Sequence, residues 1–146
     1  MLNPTIEREI WIAAPITRVW EAIANTEHYG RWWGGAGSVR ILDLRVGGSI
    51  DFATSDGVIS PTITRLEPPR VLQYQWPAHP RYFGVAFVTT YTLREHEGGV
   101  RLTFVESGFS AWPDDAERRE RYERLQEGFT ALLDRLKLYL EEEDGA

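Results

Sequence analysis

The chain has 146 residues, 42% hydrophobic and 26% charged, with six Trp, six Tyr and six Phe. This is the balance of a folded domain, expected as one unit over residues 1–146, and not of a disordered chain. A net charge of −6 repels phosphate backbones and anionic lipid heads, so neither nucleic acid nor membrane insertion is expected; the lack of cysteine excludes disulfides, thiolate metal sites and Cys nucleophiles.

Met1-Leu2-Asn3-Pro4-Thr5 shows no basic segment followed by an apolar core, so no leader is expected and the cytoplasm is the expected compartment. Ile6 to Ile12 reads as a strand, with Ile6, Ile10 and Ile12 alternating with Glu7, Glu9 and Trp11, and Arg8 interrupting the apolar face. Pro15 suits a first helical position, and Ile16, Val19, Trp20, Ile23 and Ala24 then recur on one face of a short helix. Thr26 is placed to cap a second short helix through Tyr29, which the run from Arg31 to Ser38 ends. Gly34, Gly35 and Gly37 read as turn residues and not as a phosphate cradle, since no strand leads into them in the βαβ sense and no Lys-Ser/Thr follows.

The middle predicts β structure. Val39–Leu44 and Ser49–Thr54 are joined near Gly47-Gly48, and Val58–Leu66 follows an Asp56-Gly57 hairpin turn. Pro68-Pro69 breaks the ladder, Val71–Trp76 resumes it, and Pro77 to Arg81 is a loop. Gly84–Arg94 and Val100–Phe109 flank the hairpin tip Glu97-Gly98-Gly99. Val85, Phe87, Thr89, Tyr91 and Leu93 share a face of the first, and Val100, Leu102, Phe104 and Glu106 a face of the second.

From Asp114 to Glu142 the period becomes helical. Tyr122, Leu125, Phe129, Leu132, Leu133, Leu136 and Leu140 form one stripe. Asp114 followed by Glu117 fits a cap and its reciprocal partner, and Glu117/Arg121 and Glu120/Arg124 are acid-before-base pairs four apart. Arg118, Arg119, Arg121 and Arg124, interleaved with acids, read as a solvated face, and Glu141 to Asp144 as a frayed acidic end. The expected architecture is α+β: a curved antiparallel sheet of about seven strands wrapped around a long C-terminal helix, with two short helices after the first strand.

Several of these segments resemble a known superfamily. Ala14-Pro15-Ile16-Thr17-Arg18-Val19-Trp20-Glu21-Ala22-Ile23 resembles the opening of START-like, Bet v 1-like (SRPBCC) proteins. Leu66-Glu67-Pro68-Pro69-Arg70-Val71-Leu72 through Trp76, Tyr91-Thr92-Leu93, Gly99 to Thr103 and Glu106-Ser107-Gly108-Phe109 are similar to its later signatures. The branch that the chain resembles is that of the activator of Hsp90 ATPase homologues. The resemblance implies a helix-grip fold with a cavity between sheet and long helix. It differs at Gly128-Phe129, where members often have Trp after the glycine, so the cavity wall is expected to differ there.

The chemistry is sparse. His28, His79 and His96 have no metal-ligand spacing, so no metal and no cofactor is expected. Glu106 falls on an inward face, where a carboxylate must be paired, wet or protonated, which makes it the candidate catalytic or ligand-orienting group. Trp32, Trp33, Phe52, Tyr74, Trp76, Phe83, Phe87, Tyr91, Phe104 and Phe129 each read singly as core; together they suit a largely apolar pocket with a few polar handles. The first reading is therefore a binder of a small hydrophobic or aromatic molecule. The alternatives are a cyclase or hydro-lyase-like enzyme, which needs Glu106 to converge with Tyr91 or His79, and, from the family name, a partner of an Hsp90-type chaperone.

Overall fold

The computed structural model describes residues 5–55, 57–80, 84–109, 112 and 115–142. Strand β1 (Thr5–Ile12) is followed by helices α1 (Ile16–Ala24) and α2 (Thr26–Trp33). Among the described residues seven strands come next: β2 (Val39–Ile41), β3 (Ile50–Thr54), β4 (Gly57–Ile59), β5 (Thr62–Glu67), β6 (Val71–Gln75), β7 (Val88–His96) and β8 (Gly99–Ser107). Helix α3 (Ala116–Glu142) closes the order. Five strands form one antiparallel sheet in the order β1-β8-β7-β6-β5, and three form a second in the order β2-β3-β4. The two meet at the Ser49–Thr62 bridge, so the wall bends there and faces the helices. No helix among the described residues is long and apolar enough to cross a membrane.

Several boundaries differ from those read in the sequence. The expected strand Val58–Leu66 is split, since Ser60-Pro61 separates β4 from β5 and places them in different sheets. Pro61 has no N–H to continue a ladder, although its carbonyl still accepts from Ile50 at 3.1 Å. The strand expected to reach Leu44 ends at Ile41, and Leu42 and Leu44 are exposed. Helix α2 continues past Tyr29 to Trp33, and the Gly34 N–H donates to Gly30 O at 3.1 Å; a Cβ on Gly30 would lie 3.0 Å from the Gly35 carbonyl oxygen, so this close turn favours glycine. Its cap is Asn25, not Thr26; the Asn25 side chain accepts from the Glu27 N–H at 3.0 Å, while Thr26 Oγ1 accepts from Ile41 N–H at 2.9 Å.

Helix α3 begins one residue later than the expected cap implies. Asp115 Oδ1 accepts from the Arg118 N–H at 3.0 Å, and Arg118 returns an ion pair to Asp115 at 2.8 Å. Asp114 lies outside the described residues, as do Glu143 and Asp144. The 27 residues run for roughly 40 Å. Their stripe buries Tyr122, Leu133, Leu136 and Leu140, with Leu125, Phe129 and Leu132 half-buried. Each such side chain contributes roughly 1.5–3 kcal/mol when fully buried. Polar contacts along β1 fix the helix in place. The Tyr122 hydroxyl donates to Thr5 O at 3.1 Å, Arg8 Nε to Thr130 Oγ1 at 3.0 Å, and the Ala13 N–H to Glu141 Oε2 at 2.9 Å.

The buried side chains divide into two groups. The larger lies between the sheets and the three helices and includes Ile12, Val19, Tyr29, Phe52, Leu102 and Leu136. The smaller gathers Ile6, Phe87, Phe109, Trp112 and Tyr122 near the start of α3. Trp76 and Phe129 pack against both, which places them at the seam.

Candidate functional site

Glu106 lies on β8 opposite Ile6 of β1 and Thr89 of β7. Strand alternation turns it inward with Val100, Leu102 and Phe104, and it is 5% exposed. Thr89 Oγ1 stands 2.9 Å from each Glu106 carboxyl oxygen, and Trp76 Nε1 donates to the same Thr89 oxygen at 2.9 Å. Trp76 is held just beyond β6 by its own N–H, which donates to Phe87 O at 2.8 Å. An indole N–H can only donate. The Thr89 oxygen therefore accepts from Trp76, and its single proton is available to Glu106. Burial pushes the Glu106 carboxyl up to about 8, and the Thr89 hydrogen bond opposes that rise.

Glu106 borders a hollow of about 130 Å³ at the seam between the two buried groups. The walls are otherwise mostly apolar. Trp76, Phe87, Phe109 and Phe129 supply rings, Leu125 comes from α3, and Thr54 and Ile59 come from the second sheet. Pro77 and His79 border it from the loop after β6. An apolar cavity of about 150 Å³ stays dry and admits benzene, so this one has room for a single small ring or its equivalent.

A second polar group lies deeper. The Tyr29 hydroxyl is 2.7 Å from that of Tyr74 and 3.0 Å from that of Tyr91, all three buried. Burial raises all three well above the ordinary tyrosine range, so the hydroxyls stay neutral.

Of the residues singled out in the sequence, Glu106, Trp76, Phe87 and Phe129 border the hollow. Phe52 stands behind Trp76, ring centroids 4.8 Å apart, and Trp33 behind Phe52 at 5.0 Å. Phe104 packs between Tyr91 and Phe129 at 5.3 and 4.9 Å. Tyr74 and Tyr91 turn their hydroxyls to Tyr29. Trp32 stacks on Tyr29 at 4.9 Å and donates its N–H to Ala22 O at 2.8 Å. These six fill the interior behind the hollow, which is too small to be bordered by every inward ring. Phe83 lies outside the described residues. Among the enzyme-type pairings, Glu106 and His79 share the hollow, whereas the hydroxyl of Tyr91 meets Tyr29.

Thr89 was legible as sharing a face with Phe87 and Tyr91 but not as a partner of this site, and Phe109 only as the end of the last strand. Leu125 was legible only as part of the helical stripe. Thr54 and Ile59 carried no signal, because their approach depends on the bend between the sheets. Among the described residues no group of three or more His, Asp or Glu could hold a metal ion.

Comparison with solved structures shows the same fold. The chain matches the solution structure of the Aha1 dimer from Colwellia psychrerythraea at 20% identity and TM-score 0.76, covering 97% of each chain. A crystal structure of a protein from Mesorhizobium loti matches at 23% identity and TM-score 0.77, over 94% of this chain and 97% of that one. DynU16, a protein in the dynemicin biosynthetic locus, matches at 21% identity and TM-score 0.77, over 96% of this chain but 48% of its own. No curated protein matches. The sequence pattern of the Activator of Hsp90 ATPase homolog 1-like proteins matches residues 13–141, and the chain belongs to that family.

Proposed function

We propose that this protein binds a small hydrophobic or aromatic molecule in the hollow between the bent wall and helix α3. The observation that carries the reading is the hollow itself: apolar side chains border about 130 Å³, and one buried carboxyl, Glu106, faces it. Apolar walls supply affinity and a single oriented polar group fixes the pose. DynU16 shares the fold and comes from a biosynthetic locus, a setting that fits a small-molecule guest. A titration with single-ring compounds such as toluene, followed by the fluorescence of Trp76 against a Trp76→Phe control, tests it. Saturable quenching that is lost in the control supports the reading, and no saturable binding by any such compound contradicts it.

Glu106 and His79 on one hollow favour a second reading, an enzyme that protonates or deprotonates a bound ring compound. A carboxyl held near 8 donates a proton readily at neutral pH. Turnover of a bound guest, lost in Glu106→Gln with binding retained, distinguishes this from simple carriage.

A further inference from the structure

We propose that the guest is a small organic cation, an alkylated ammonium, with its charge against Glu106 and its alkyl groups against Trp76, Phe87, Phe109 and Phe129. This rests on the hollow being a ligand site and names the chemistry that would fill it.

Three observations converge. The hydrogen-bond chain is polarised toward Glu106: Trp76 N–H to the Thr89 oxygen, then the Thr89 proton to the carboxyl, each at 2.9 Å. Donors aimed at a carboxyl favour its ionised form. Yet among the described residues Thr89 is the hydrogen-bond partner of Glu106, and burial and that bond, with no Lys or Arg, set its carboxyl. That hydrogen bond suits an ionised carboxylate, and among the described residues no cationic side chain stands against it. Secondly, the rings of Trp76, Phe87, Phe109 and Phe129 border the same hollow. Aromatic walls attract cations through their quadrupoles, most strongly where water is excluded, and alkyl groups on nitrogen pack well against them. Thirdly, the net charge of −6 favours approach of a cation and disfavours an anion.

The raised carboxyl follows from the same arrangement. Without a cation, burial dominates and the acid keeps its proton up to about pH 8. A bound ammonium restores the ionised form, and the proton passes to the buffer. Binding is then linked to proton release. Among the described residues His79 is the other titratable side chain on the wall, and the neutral hydroxyls of Tyr29, Tyr74 and Tyr91 lie deeper. Ile6 faces Glu106 from β1, and Leu125 and Phe129 border the hollow from α3, with no charge among them.

The experiment is calorimetric titration of the full chain with choline, with its neutral carbon isostere 3,3-dimethylbutan-1-ol, and with toluene, between pH 6 and 9. The expected result is choline binding that strengthens about tenfold per pH unit and levels off near 8, with close to one proton released at pH 7. The isostere binds more weakly and shows no rise. Glu106→Gln flattens the choline profile near 8 and erases its advantage over the isostere. If the isostere matches choline at pH 9, or choline binding is flat with pH or releases no proton, the cation is wrong; toluene binding would then leave the hollow standing as an apolar site. If none of the three binds, both readings fall. The profile and proton count come from the unmodified chain, so the test holds whether or not Glu106→Gln folds.

Discussion

The Thr89 hydroxyl oxygen lies 2.9 Å from both carboxyl oxygens of Glu106, on adjacent strands in direct register. Burial sets how this carboxyl responds to pH, and the Thr89 contact moderates it. The folded Glu106 pKa, about 8, is above the ordinary carboxylate value near 4.5 that holds in the unfolded chain. Between those values the folded state carries the extra proton. Stability is therefore fully present below about 4.5 and is lost as pH rises through 8, by an amount of order 4–5 kcal/mol. Urea unfolding at pH 5, 7 and 9 is expected to show this fall. Glu106→Gln, which cannot ionise, is expected to remove most of it.

Thr89→Val keeps the shape but removes the hydroxyl. Trp76 Nε1 then loses its acceptor and Glu106 its donor, at a cost of about 1–3 kcal/mol. The Glu106 carboxyl rises above its present value, because the contact that opposes burial is gone. Carboxyl ¹³C NMR reads that shift directly. Thr89→Ser is expected to restore the original titration, and an unchanged Glu106 titration in Thr89→Val would contradict the assignment.

The tyrosine hydroxyls predict an unequal pair of variants. Tyr29 bridges the other two, so Tyr29→Phe leaves both Tyr74 and Tyr91 without it, whereas Tyr91→Phe breaks one link. The first is expected to cost about 1–3 kcal/mol and the second less, measured by denaturant unfolding. Ultraviolet titration should show these three phenols remaining protonated beyond the ordinary tyrosine range until the chain unfolds.

Glu141 gives the opposite pH dependence. The Lys137 side chain and the Ala13 N–H hold its carboxyl below the usual range. Its contribution is present above the unfolded value and is lost as pH falls through the folded one. Glu141→Gln is expected to cost no more than about 1 kcal/mol at pH 7, since the pair is partly exposed, and nothing once the folded carboxyl is protonated.

Much of this was legible from local patterning. The period-2 runs placed Glu106 on an inward face and Thr89 on one face with Phe87 and Tyr91, and the helical stripe from Tyr122 to Leu140 placed α3 against the wall. Caps were less legible, because Asn25/Thr26 and Asp114/Asp115 offer adjacent side chains of equal chemical suitability. The site was legible only in part. Which rings border a hollow and which fill the space behind it depends on how tightly two sheets close over a helix. That closure is a long-range property, and Trp32 and Trp76 look alike to any local rule. Thr54 and Ile59 reach the hollow only because Ser60-Pro61 turns the chain from one sheet to the other.

Leu125→Phe would push a ring into the hollow from α3. With space available, stability is expected to stay within about 1 kcal/mol, while small-molecule binding weakens at least roughly tenfold. Equal binding in this variant would place any guest elsewhere.

The most direct measurement is a methyl NMR titration of the full chain with toluene, following Ile59 and Leu125, which border the hollow from the second sheet and from α3. The account predicts saturable shifts at both, together with ring signals of Trp76 and Phe129. Saturation confined to surface methyls such as Leu42 or Leu138, or no saturation at all, would contradict it.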